Sequence, residues 1–127
     1  MLNRSDLEAF DYYDNFDAVK PTPNLDSYTE FVESMILTTG RDRLVENTLG
    51  LVGEAGEVAE KIKKHFRDAT LGLDVSAVQK ELGDVIFYWV ALNNVLGLDA
   101  MDTILKNMEK LSARQRNGTL RGSGDNR

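Results

Sequence analysis

The chain has 127 residues, with 15 basic against 21 acidic side chains for a formal charge of −6, and no cysteine. At 42% hydrophobic and 28% charged, it is long enough for one packed core and too short for two. The missing cysteines exclude disulfide frameworks, thiolate catalysis and cysteine-bound zinc, and the single histidine, His65, excludes histidine-rich metal sites, so any metal must sit on oxygen. An isoelectric point near 4.7 argues against a nucleic-acid partner. Short apolar runs and an acidic first twenty residues give an expectation of neither a membrane span nor a signal peptide, hence of an intracellular protein.

Residues 1–23 interleave Asp6, Glu8, Asp11, Asp14 and Asp17 with Phe10, Tyr12, Tyr13 and Phe16 and close on Pro21 and Pro23, which reads as an irregular, loosely docked arm. Asn24 and Asp26 are good N-cap residues, and Leu25, Tyr28, Phe31, Val32, Met35 and Ile36 then recur at helical spacing, predicting a first helix that ends before Gly40. Asp42 is the expected cap of a second helix from about Leu44 to Phe66, with Leu51, Ala55, Val58, Ile62 and Phe66 on one stripe. After a break containing Gly72, Ser76 is the expected cap of a third helix with Val78, Leu82, Val85, Trp89 and Leu92 as its stripe, ending near Leu96. Asp99 caps a fourth, whose expected inner face is Met101, Ile104, Leu105, Met108 and Leu111. The tail from Asn117 is rich in glycine and arginine and is expected to be disordered, with Arg121 and Arg127 as an alternative phosphate lid. No run of β-branched alternation competes, so the expected fold is an all-α, four-helix-type bundle over residues 24–116, between the arm and the tail at 117–127.

Two segments repeat one plan. Helix two carries Glu54-Ala55-Gly56-Glu57 and helix three carries Glu81-Leu82-Gly83-Asp84, with apolar residues at matching offsets around each pair. Acids three apart lie about 60° apart around a helix, so each pair borders its stripe. If the stripes pack antiparallel, four carboxylates converge where their repulsion requires cations, and an all-oxygen set suits magnesium or manganese. A single Glu-x-x-Glu pair is ordinarily a solvated helix face, but two matched pairs beside the two most apolar stripes are not explained that way. Gly56 and Gly83 each cost about 1 kcal/mol relative to alanine, which suggests close backbone approach. A ferritin-like site fails because no histidine stands three residues after Glu54 or Glu81, and an EF-hand loop is absent. Carboxylate-held magnesium habitually takes phosphate oxygens as further ligands, which points to a nucleotide or another polyphosphate. Lys61, seven residues after Glu54, shares its face, and Asn107, Lys110 and Arg114 share one side of helix four as candidate phosphate contacts.

These residues resemble the MazG-like members of the all-α nucleoside triphosphate pyrophosphohydrolases. Glu54, Glu57, Glu81 and Asp84 match the family motif Glu-x-x-Glu, spacer, Glu-x-x-Asp, and the resemblance covers about Leu25 to Arg116. It implies magnesium held by those four acids and cleavage of a (deoxy)nucleoside triphosphate between the α and β phosphates, giving the monophosphate and pyrophosphate. It also implies a nucleotide-pocket position at Tyr88 and an Asn-x-x-Lys phosphate element at Asn107 and Lys110. Where many members carry a further glutamate before the first motif acid, this chain has Gly53, which leaves Glu54 and Glu57 as candidate bases. Tyr28 or Phe31 is expected to join Tyr88 around the base.

The tail resembles those of short phage and bacterial members, so the expected location is the cytoplasm of a bacterial or phage-infected host cell. A homodimer or homotetramer is expected, because Val45, Leu49, Val52 and Ala59 face away from the Leu51 stripe and one thin bundle does not cover both sides. The competing reading is a non-catalytic regulatory bundle that binds nucleotide or metal.

Overall fold

The computed structural model describes residues 22–68 and 72–125. Among these the structure is all-α: α1 (Leu25–Met35), α2 (Gly40–Asp68), α3 (Val75–Val95) and α4 (Ala100–Arg116). The aromatic arm with Phe10, Tyr12, Tyr13 and Phe16 lies outside the described residues, as does Arg127.

Local chemistry sets the helix ends. Asn24 Oδ1 accepts from the Ser27 amide at 2.8 Å while Ser27 Oγ accepts from the Asn24 amide at 3.0 Å, a reciprocal capping box that starts α1 where the sequence predicts. Asp99 accepts from the Asp102 amide at 2.8 Å and starts α4, also as predicted. The other two starts differ from the sequence reading. The third helix begins under Asp74, whose carboxylate accepts from the Ala77 amide at 3.0 Å, rather than under Ser76. A carboxylate cap adds favourable interaction with the helix dipole, and a start at Val75 makes the helix two residues longer than a cap at Ser76 would. The second helix begins at Gly40, four residues before Leu44, and Asp42 sits inside its first turn. Gly40 takes φ +57°, a left-handed conformation open to glycine without a Cβ clash, and turns residues 36–39 into the helix.

Helices α3 and α4 end alike. The Leu98 amide donates to Asn93 O at 2.8 Å and the Gly97 amide to Asn94 O at 3.1 Å; Thr119 and Gly118 repeat the pattern on Arg114 and Gln115. Both are Schellman endings, with left-handed glycines at φ +68° and +67°.

Helix α3 is the central element: α2 packs along it, and α1 and α4 pack against it. The fully buried core is small, formed by Val32 of α1 with Val90 and Ala91 of α3, and surrounded by Leu25, Tyr28, Phe31, Ile36, Phe87 and Trp89. Polar links tie the helices together around this core. Glu33 of α1 receives both terminal guanidinium nitrogens of Arg43 on α2 and the amide of Asn94 on α3 at 3.1 Å. The buried Asn93 accepts from Thr103 Oγ1 at 2.5 Å and donates to Trp89 O at 2.9 Å, fastening the start of α4. No helix among the described residues is long and apolar enough to cross a membrane.

Two expectations for the periphery are corrected. The supposed inner face of α4 is largely open, with Met101, Leu105, Met108 and Leu111 exposed and Ile104 half-buried. Periodicity marks a helix's apolar side but not what covers it, and the core here is centred on α1 and α3. The tail, expected to be disordered, folds back on α4 as far as it is described. Arg114, only 5% exposed, donates through Nη2 to Asp125 O at 3.0 Å and Asp125 Oδ1 at 3.2 Å, and Lys110 Nζ lies 3.5 Å from the same carboxylate. The second apolar side of α2 is open as expected, with Leu49 and Val52 66% and 67% exposed.

Candidate functional site

The matched acid pairs meet because α2 and α3 run antiparallel. Going up α2, Gly50 faces Tyr88, Glu54 faces Asp84 and Glu81, and Lys61 faces Glu81, so partner numbers fall as α2 numbers rise. Carboxylate oxygens of Glu54, Glu81 and Asp84 lie within 4.8 Å of one another. Glu54 and Glu81 are half-buried and Asp84 is exposed. Glu57, one helical turn beyond Glu54, is exposed and stands outside this trio, although its charge is close enough to act on Glu54. The Glu54 carboxyl is pushed above its ordinary value of 4.5, first by burial and then by the negative charges of Asp84, Glu81 and Glu57.

The donor set therefore fits a hard divalent cation: three converging oxygens, no nitrogen or sulfur, and mutual repulsion that a cation relieves. Lys61 Nζ, 3.4 Å from Glu81 Oε1, brings one protein cation to the rim.

Beside the carboxylates lies a cavity of about 490 Å³. Helix α1 lines it with Tyr28, Phe31 and Met35, α2 with Glu54, and α3 with Gly83, Asp84, Phe87 and Tyr88. Its walls are thus mainly aromatic, with two carboxylates among them. Tyr28 and Phe31 stack at 6.1 Å, and the Phe87 and Tyr88 rings meet edge to face at 5.3 Å. The Tyr28 hydroxyl is held above its ordinary value of 10.0 by burial and then by the charge of Asp84, so it is a neutral donor or acceptor at the cavity edge.

The structure thus brings Glu54, Glu81, Asp84, Lys61 and Tyr88 together. It does not bring Asn107, Lys110 and Arg114 of α4 to the carboxylates of the same chain. None of them lines the cavity; Asn107 is exposed, and Lys110 and Arg114 are engaged by Asp125. The reason is that α4 packs on α3 and α1, whereas the acids sit on the α2–α3 seam.

The glycine inference also changes. A Cβ at Gly56 or Gly83 would meet nothing within 4 Å, so neither marks a close approach. The tight glycine is Gly50, where a Cβ would lie within 2.6 Å of Tyr88 Cδ1 and Cζ and closer still to Cε1. Met35 and Phe87, as cavity walls, and Gly50, as the seat of Tyr88, are site residues that spacing alone did not single out. The sequence signal for Met35 is its place one helical turn after Phe31 and for Phe87 its place beside Tyr88, whereas nothing next to Gly50 in the sequence marks it.

Residues 44–119 match the family model of the MazG nucleotide pyrophosphohydrolase domain, a span that holds all the acids but not the α1 wall of the cavity. The chain is 43% identical over 83 residues to the Gene 37 protein of Mycobacterium phage L5, covering 63% of this chain and 73% of that protein. No solved structure matches the chain.

Proposed function

The chain belongs to the MazG nucleotide pyrophosphohydrolase domain family, and from that premise we propose that it hydrolyses (deoxy)nucleoside triphosphates between the α and β phosphates. The observation that carries this reading is the convergence of Glu54, Glu81 and Asp84 within 4.8 Å at the mouth of an aromatic cavity wide enough to receive a base.

Those three carboxylates would hold magnesium or manganese, which when bound supplies positive charge to phosphate oxygens and acidifies water. Tyr28, Phe31, Phe87 and Tyr88 enclose the base and orient the α-phosphate toward the carboxylates. Glu57, outside the trio, accepts the proton of the water that attacks the α-phosphorus. The bond from that phosphorus to the bridging oxygen breaks, and pyrophosphate leaves with the monophosphate remaining. Lys61 turns from Glu81 to the departing phosphates and stabilises their charge.

In this reading the chain works as a homodimer or homotetramer, because the open Leu49–Val52 side of α2 and the open Met101–Met108 side of α4 need cover. Asn107 and Lys110 then reach phosphates from a second copy. Arg114 is enclosed by the tail of its own chain and makes no substrate contact in this reading.

The test is to incubate the protein with magnesium and a panel of ribo- and deoxyribonucleoside triphosphates beside a Glu57→Gln, Asp84→Asn variant. Monophosphate and pyrophosphate are the expected products, lost in the variant. Binding without turnover would favour a regulatory bundle, and diphosphate with orthophosphate would contradict the proposed cleavage position.

A further inference from the structure

Gly50 lies in the body of α2, where glycine costs about 1 kcal/mol relative to alanine, and its backbone is not in the left-handed region that would call for glycine. What excludes a side chain there is Tyr88. A Cβ on Gly50 would stand within 2.6 Å of the ring's Cδ1 and Cζ, against 3.4 Å or more for ordinary contact, so the ring rests on bare helix backbone. The same ring lines the 490 Å³ cavity beside the carboxylates. The other glycines of α2, Gly40, Gly53 and Gly56, have nothing within 4 Å of a Cβ, so the constraint is particular to Gly50.

We propose that Gly50 is a positioning residue for base selection: by carrying no side chain, it lets Tyr88 lie back against α2 and thereby sets the width of the cavity offered to the base. The inference rests on the nucleotide reading above and adds to it a determinant of which bases fit. For a methyl at position 50 to reach ordinary contact, the ring's Cδ1 and Cζ must recede by 0.8 Å, the difference between 3.4 and 2.6 Å. With α2 behind the ring and Phe87 against it at 5.3 Å, the unfilled space into which it moves is the cavity. A narrower cavity rejects the two-ring purines before the one-ring pyrimidines.

The experiment measures KM and kcat for purine and pyrimidine deoxynucleoside triphosphates with magnesium, together with calorimetric binding of their α,β-methylene analogues. Gly50→Ala is expected to raise KM for purines relative to pyrimidines on the order of tenfold, the scale of one methylene in an apolar pocket, with kcat little changed. The shift should persist when Gly50→Ala is combined with Tyr88→Phe, which keeps all three ring atoms, and disappear when it is combined with Tyr88→Ala. Gly53→Ala, which adds a methyl in open space, should leave the preference unchanged. Equal losses for all bases, an unchanged KM ratio, or the same increment in the Tyr88→Ala background would overturn the inference while leaving the hydrolase reading intact. If Gly50→Ala alone does not fold, Gly50→Ala with Tyr88→Ala must regain the helical circular dichroism, and failure to do so also overturns it. A wild-type protein that binds no nucleotide would remove the hydrolase reading first and this one with it.

Discussion

Replacing Asp84 with asparagine should stabilise the metal-free protein and at the same time abolish its response to magnesium. The carboxylate oxygens of Glu54, Glu81 and Asp84 lie within 4.8 Å of one another. Because Asp84 is exposed, the aqueous dielectric applies, and two unit charges at that separation repel by about 0.9 kcal/mol. Screening at physiological salt leaves roughly half of this. Asp84 faces two such partners, so its near-isosteric amide relieves about 1 kcal/mol; this is an upper value, because Lys61 already offsets part of the Glu81 charge. For a domain of this size that corresponds to a Tm rise of about 4 °C. Thermal unfolding followed by circular dichroism, in EDTA and in magnesium, measures both effects. The wild type should gain about 2.7 kcal/mol when magnesium stands at a hundred times its Kd, and the variant should gain little. A lower Tm for Asp84→Asn in EDTA, or a magnesium-dependent rise equal to that of the wild type, would refute the reasoning.

Glu33→Gln tests the link between α1 and the other helices. The Arg43 guanidinium, bonded to the Glu33 carboxylate, holds that carboxyl below its ordinary 4.5 against the opposing effect of burial. A lowered folded value means that this contribution is fully present above pH 4.5 and is lost as pH falls through the folded value. The variant should therefore melt a few degrees lower at neutral pH, in keeping with about 0.5–1 kcal/mol for an exposed pair, and the gap to the wild type should close in acid; a gap independent of pH would count against it. Thr103→Val leaves the buried Asn93 Oδ1 without its 2.5 Å donor and should cost about 1–3 kcal/mol in urea unfolding, whereas a neutral result would mean that water replaces the hydroxyl. Val52→Asp places a charge on the open side of α2 and should lower the sedimentation mass of the oligomer; a wild type that sediments as a monomer would end the interface argument.

The parts of the molecule that depend on neighbours within a turn or two were legible in the sequence. Asn24 and Asp99 cap the helices they were expected to cap, because a cap needs only a short polar side chain and an amide three residues on. Repeated offsets put the paired acids beside matching stripes of two apolar helices, and with those helices antiparallel three of the four, Glu54, Glu81 and Asp84, come within 4.8 Å of one another. Asp74 displaced Ser76 as a cap through a competition between two adequate candidates, which composition does not rank. Glu33 reads on α1 as one more surface acid, and its partners Arg43 and Asn94 stand 10 and 61 residues away. Arg114 looked like a phosphate contact because its helical side was right, but the tail's Asp125 reached it first.

Sequence by itself determined the helices, the oxygen-only character of any metal site, and the seam at which the acids gather, because these follow from periodicity and residue chemistry along the chain. Only the tertiary structure decided that Glu54, Glu81 and Asp84 form the trio while Glu57 stands outside it, that α4 keeps its charges away from those acids, and that Gly50 rather than Gly56 or Gly83 is the glycine under steric demand. Each depends on the rotation of one helix about its axis and on which ring or carboxylate the next helix presents. Packing sets that angle, and a spacing of three or four residues carries no record of it.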